Sequence, residues 1–83
     1  MKIFYTQKAA EQLKNFPYET QKRIVKKMRF YAKQKYPLKF AKRLNDYRQG
    51  EYRFRIGDCR VIFDAKKDVI YVLKIGKRDK IYN

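Results

Sequence analysis

Histidine and serine are absent from these 83 residues, and cysteine occurs once, as Cys59. Without histidine the chain lacks the commonest metal ligand and the usual proton carrier near neutral pH. Without serine or histidine, neither a Ser-His-Asp triad nor a Cys-His pair can be assembled. A lone thiol excludes an intramolecular disulfide, and with no imidazole beside it zinc has no ligand set, so no metal and no cofactor is expected. Any catalysis has to come from Arg, Lys, Tyr or carboxylates. No apolar run approaches the length that spans a bilayer, and residues 1–6 are too short for the apolar part of a secretion signal, so a cytoplasmic location is expected.

Acidic residues are scarce as well. Eight Asp and Glu stand against 23 Lys and Arg, a net charge of +15 at pH 7. Crowding like charges on one small surface costs stability through self-repulsion, so the charge points to an anionic partner, either nucleic acid or an acidic protein. The chain nonetheless has the material to fold. Hydrophobic residues make up 45%, including six Phe and eight Tyr, which supports one modest core and hence a single domain over residues 1–83.

Residues 2–6 combine β-branched and aromatic side chains and read as a first strand, after which Thr6 is placed to cap a helix. Ala9, Ala10, Leu13 and Phe16 then recur at helical spacing until Pro17 interrupts, giving a helix of about three turns. In a second helix Ile24, Val25, Met28, Tyr31 and Ala32 form one apolar stripe bordered by lysines and arginines, and Pro37 marks its end. The short link between the two predicts a helical hairpin. Residues 38–50 read as loop or short helix.

From Tyr52 the period changes to two. The run Tyr52-Arg53-Phe54-Arg55-Ile56, then Gly57-Asp58, then Cys59-Arg60-Val61-Ile62-Phe63-Asp64 predicts a β-hairpin. Gly57 at the first central position of the loop suits a type II′ turn, with Ile56 opposite Cys59 and Phe54 opposite Val61. A third strand covers about residues 69–75. The order β-α-α-β-β-β gives an α+β domain, with the helical hairpin packed on one face of a small, mainly antiparallel sheet.

This register puts Tyr52, Phe54, Ile56, Val61 and Phe63 on the helix side and Arg53, Arg55 and Arg60 together on the other. Arg55 and Arg60 become cross-strand neighbours, an arrangement that costs a few tenths to ~1 kcal/mol unless an anion relieves it. A last strand that buries Tyr71, Leu73 and Ile75 adds Lys74 to the same face, with Gly76, Lys77 and Arg78 leaving the sheet beside it. Any one of these cations alone would be a solvated side chain; three converging arginines argue for a site. The lysines of the second helix are a solvated face that steers polyanions, and Cys59 is a small core residue. Composition alone makes Tyr82 equally a fraying end or a stacking group.

The segments Tyr52-Arg-Phe-Arg-Ile-Gly-Asp-Cys-Arg-Val-Ile-Phe, Val72-Leu-Lys-Ile-Gly-Lys-Arg and Ile81-Tyr82, together with the element order, resemble the RelE/ParE superfamily of toxins from type II toxin-antitoxin systems, in its RelE-type mRNA interferase branch. The resemblance covers essentially the whole chain. It implies a ribosome-dependent, metal-independent endoribonuclease that cuts mRNA, inhibits translation, and is silenced by a cognate antitoxin. It also implies catalytic roles for Arg53, Arg55, Arg60, Arg78 and Tyr82, with Lys74 and Lys77 binding RNA. The chain departs from the family pattern at Cys59, where Tyr is common, at Lys77, where many members have His, and at positions 53 and 55, where Arg replaces Lys. A C-terminal helix beyond Asn83 is not expected. Arginine cannot serve as a general base, which leaves Tyr82, Lys74, Lys77, Glu51 or a ribosomal group to take the proton. Two other functions compete with cleavage: a ParE-like inhibitor of DNA gyrase, and a noncatalytic binder of ribosome or RNA.

Overall fold

The computed structural model describes residues 1–81. Strand β1 (Lys2–Tyr5) leads into helices α1 (Gln7–Lys14) and α2 (Tyr18–Lys33), followed by a 3-10 turn (Pro37–Phe40) and strands β2 (Lys42–Arg43), β3 (Tyr52–Ile56), β4 (Cys59–Lys66) and β5 (Val69–Lys77). The sheet order is β1-β5-β4-β3-β2, with β1 parallel to β5 and every other pair antiparallel. The expected α+β architecture is therefore present, with one strand more than the sequence suggested.

Thr6 caps α1 as expected: its extended backbone turns the chain, and its hydroxyl accepts from the Ala9 amide at 3.2 Å. The helix is shorter than its periodicity implied. Pro17 disfavours helical backbone at Phe16, and the last amides, Asn15 and Phe16, donate three residues back, to Gln12 and Leu13. Gln21 of α2 then donates to the carbonyls of Lys14 and Phe16, at 3.2 and 2.8 Å, and closes the helix end.

Ala9 of α1 and Ile24, Met28, Tyr31 and Ala32 of α2 meet Phe54, Ile56, Cys59, Val61, Phe63, Ile70, Val72 and Ile75 of the sheet in one core. Val25 lies at the edge of the α2 stripe and is only half-buried. Tyr31 stacks on Phe54 at 4.3 Å between ring centroids, and Phe54 on Phe63 at 4.4 Å, so an aromatic column joins helix to sheet. Burying each such ring contributes about 1.5–3 kcal/mol.

The last strand corrects one expectation. Ile70, Val72 and Ile75 face the helices, whereas Tyr71 and Leu73 do not. The cause is a β-bulge: Ile62 pairs with Lys74 but the next residue, Phe63, pairs with Val72, so Leu73 is an extra residue in β5. Beyond it Ile75 stays inward and Lys74 outward, the arrangement expected for that pair, reached by another route.

Candidate nucleic-acid interface

The β3-β4 hairpin builds the site. Its turn has Gly57 at φ +60°, while Asp58 is not among the residues with positive φ, as type II′ geometry requires. The register then pairs Ile56 with Cys59, Arg55 with Arg60, Phe54 with Val61 and Arg53 with Ile62. Paired residues point to the same side. Since Phe54, Ile56, Cys59 and Val61 are in the core, Arg53, Arg55 and Arg60 all stand on the face away from the helices. Arg55 is exposed; Arg53 and Arg60 are half-buried.

Further cations join this face by pairing. Lys74 lies beside Ile62, and Lys42 of β2 lies beside Arg53. Lys42 escaped the sequence reading because a two-residue strand has no periodicity to detect. Arg78 follows the end of β5, and its amide donates to the Asp58 carbonyl at 2.9 Å, which ties its backbone to the hairpin turn next to the Arg55-Arg60 pair. Lys77 goes elsewhere: it pairs with Cys59 and so leaves on the helix side, near Arg23, where both cations act on the thiol. Burial, the larger influence, raises the Cys59 pKa, as does the neighbouring Asp58. Tyr82 lies outside the described residues.

The face is not open along its whole length. Residues 44–51 fold back across it as a strap, with the Leu44 amide donating to the Glu51 carbonyl at 2.9 Å. Buried Gly50 lies directly over Ile62: a Cβ built there would sit 2.6 Å from Ile62 Cγ2 and 3.2 Å from Leu73 Cδ1. Lys74 Nζ donates to Gln49 Oε1 at 2.7 Å, so the strap also fixes an ammonium. Glu51 Oε1 accepts from the Ala65 amide at 3.0 Å. That contact is five residues along β4 from Arg60, about 16 Å, too far for Glu51 to serve as a base at the arginines.

The result is a divided surface. Its strap half is covered by Gly50 on Ile62 and Leu73, and its hairpin half presents Arg55, Arg60 and the start of the Arg78 segment. Guanidinium groups so placed can grip a phosphodiester bidentately and stabilise charge developing on its oxygens. No cluster of three or more His, Cys, Asp or Glu side chains with metal-binding potential occurs among the described residues, and no helix among them is long and apolar enough to cross a membrane.

A family model described as the ParE toxin of the type II toxin-antitoxin system parDE matches residues 3–82. The fold is similar to a chain in the crystal structure of the toxin-antitoxin complex RelBE2 from Mycobacterium tuberculosis, with a TM-score of 0.77 and 20% identity over 93% of this chain and 96% of that one. At that identity the likeness is one of fold. No curated protein matches the sequence.

Proposed function

We propose, from the premise that this chain belongs to the ParE toxin family of type II toxin-antitoxin systems, that it is an mRNA endoribonuclease acting on the ribosome and held in check by a cognate antitoxin. The observation that carries this reading is the cross-strand pairing of Arg55 with Arg60 on the face opposite the helices, with Arg78 tethered to the same turn. A pair of like charges facing each other is a cost to the sheet. A bound phosphodiester converts it into a gain.

The RNA supplies its own nucleophile in this chemistry. The 2′-hydroxyl of the RNA attacks the adjacent phosphorus, a 2′,3′-cyclic phosphate forms, and the 5′-oxygen leaves with a proton. Arg55, Arg60 and Arg78 hold the non-bridging oxygens where negative charge accumulates, and Arg53 lies one register step further along the same face. Lys74, fixed by Gln49, binds a flanking phosphate. Lys77, on the helix side, contributes to the overall attraction of RNA. Tyr82, four residues after Arg78, supplies the stacking or proton-transfer group, or the ribosome supplies the base. The expected consequence in the cell is arrested translation.

A second reading, inhibition of DNA gyrase, is left open by the ParE name of the matching family; a toxin acting that way needs no catalytic residues. Inducing the protein and sequencing RNA 5′ ends, alongside a gyrase supercoiling assay, separates the two. Cleavage predicts new 5′-hydroxyl ends within coding regions and unaltered supercoiling. Arg60→Ala and Arg78→Ala are expected to abolish growth arrest while leaving antitoxin binding intact. Full toxicity in both variants would refute the assignment.

A further inference from the structure

Strand β1 accompanies β5 only as far as Val72. Past that point the outer edge of β5 has no strand neighbour, and α1 takes its place: Gln12 Oε1 accepts from the Ile75 amide at 2.8 Å. Between α1, this edge and the turn that follows β5 lies a cavity of about 370 Å³, floored by Ile75 and Ile81 and flanked by Lys8, Lys74 and Lys80. No carboxylate lines it. None of the three lysines forms an ion pair among the described residues.

Lys8 is poorly placed for stability. It sits in the first turn of α1, which contains no acidic residue. A cation there opposes the helix dipole. Lys74 also lines the cavity, and its ammonium is held by Gln49 of the strap beside it, with N–H donors left over for an anion. Lysines from α1, β5 and the following turn, with no carboxylate among them, make the concavity electropositive and suited to an anion.

The cavity adjoins the arginine face across Gly76, against whose outward side Ile81 packs. Gly76, in its wall, is the register partner of Arg60. Crossing from β4 over β5 to the free edge takes about two strand spacings, roughly 10 Å. We infer that the Lys8-Lys74-Lys80 cavity is a second phosphate subsite, which takes a backbone phosphate of the same RNA strand that Arg55 and Arg60 grip. The inference rests on the RNA reading above and deepens it: the strand crosses the sheet from the hairpin toward α1, and the length of RNA engaged exceeds what the arginines alone can hold. An acidic protein segment would find the same amines, but the register adjacency of the cavity wall to Arg60 favours a polyanion long enough to reach both sites.

The test uses a single-stranded RNA oligonucleotide and the intact protein, with affinity measured as a function of salt. Each phosphate contact to a single strand contributes about 0.7 to the slope of log K against log salt. Lys8→Gln with Lys80→Gln, which disables a site for one phosphate, is therefore expected to lower the slope by about 0.7. The control pair Lys2→Gln with Lys66→Gln makes the same change in net charge where β1, β4 and β5 meet far from the hairpin, and is expected to leave the slope nearly unaltered. Equal slopes in both pairs, or no change in the Lys8/Lys80 pair, overturns the inference while the RNA reading stands. Loss of antitoxin affinity with an unchanged RNA slope overturns it in favour of protein carboxylates. Absence of salt-sensitive RNA binding by the unaltered protein removes the RNA reading, and the subsite with it.

Discussion

Replacing Gly50 by alanine tests whether the strap is packed onto the sheet or merely lies near it. Gly50 has φ +146°, a conformation that L side chains rarely adopt, and such strain costs about 1–3 kcal/mol. The new Cβ would also press on Ile62 Cγ2 at 2.6 Å and Leu73 Cδ1 at 3.2 Å. Overpacking of this kind adds about 1–3 kcal/mol, for a total of about 2–6 kcal/mol in a domain whose whole stability is on the order of 5. Gly57→Ala is the matched control. Its φ is +60°, yet the nearest atoms to its added Cβ belong to the flexible Arg23 guanidinium at 3.4 Å, so only the backbone cost of about 1–2 kcal/mol applies. In urea, with a slope near 1 kcal/mol/M for a chain this small, Gly50→Ala should lower the unfolding midpoint by about 2 M or more, clearly beyond the control. A midpoint no lower than that of Gly57→Ala would mean that the strap does not bear on Ile62 and that the divided surface is wrong.

Tyr5→Phe should stabilise the protein, because the Tyr5 hydroxyl is buried with no hydrogen-bond partner among the described residues and an unmade bond costs about 1 kcal/mol or more; a thermal midpoint that falls would contradict this. The same substitution should flatten the alkaline side of the stability profile. Burial raises the pKa of Tyr5, partly offset by Arg29, and burial likewise raises those of Tyr31 and Cys59. Each is an acid whose neutral form the fold prefers, so the unfolded chain releases its proton first as pH rises. Stability is therefore full below about pH 8.5 for the thiol and about pH 10 for the phenols and is lost as pH climbs through the folded values; urea midpoints between pH 7 and 11 measure it. Arg55→Gln should raise stability by a few tenths to ~1 kcal/mol by removing the cross-strand repulsion with Arg60 while it lowers toxicity. A variant less stable than the parent would show that the pair is not a cost in the free protein.

The hairpin was legible because its pattern is strict. Phe54, Ile56, Val61 and Phe63 alternate with Arg53, Arg55 and Arg60, so a single register turns all four apolar residues to the helices and all three arginines to the other face, and Gly57 fixes the turn that selects it. Thr6 and the α2 stripe were legible for similar reasons. The end of α1 was not, since Leu13 and Phe16 continue the helical spacing while Pro17 and a side chain from another element, Gln21, decide where the helix stops. Sequence proximity groups Lys77 with Lys74 and Arg78, whereas pairing with Cys59 sends it to the opposite side.

The bulge explains why the remaining half of the face could not be read from sequence. Residues 69–73 are Val-Ile-Tyr-Val-Leu, a run without polar alternation, so period two carries no parity there and either side chain set could be inward. The tie is broken by partners distant in sequence: Phe63 takes Val72, Ile62 takes Lys74, and Leu73 is left over. That extra side chain then has to be covered, and Gly50, thirteen residues before Phe63, provides the cover because only a residue without a Cβ fits against Ile62 and Leu73. The strap, in turn, carries Gln49 to Lys74. A single unpaired residue in β5 thus connects three things that local sequence leaves independent: which half of the sheet is closed, why a glycine is needed at position 50, and how an ammonium comes to be held at the border between the arginines and the lysine cavity.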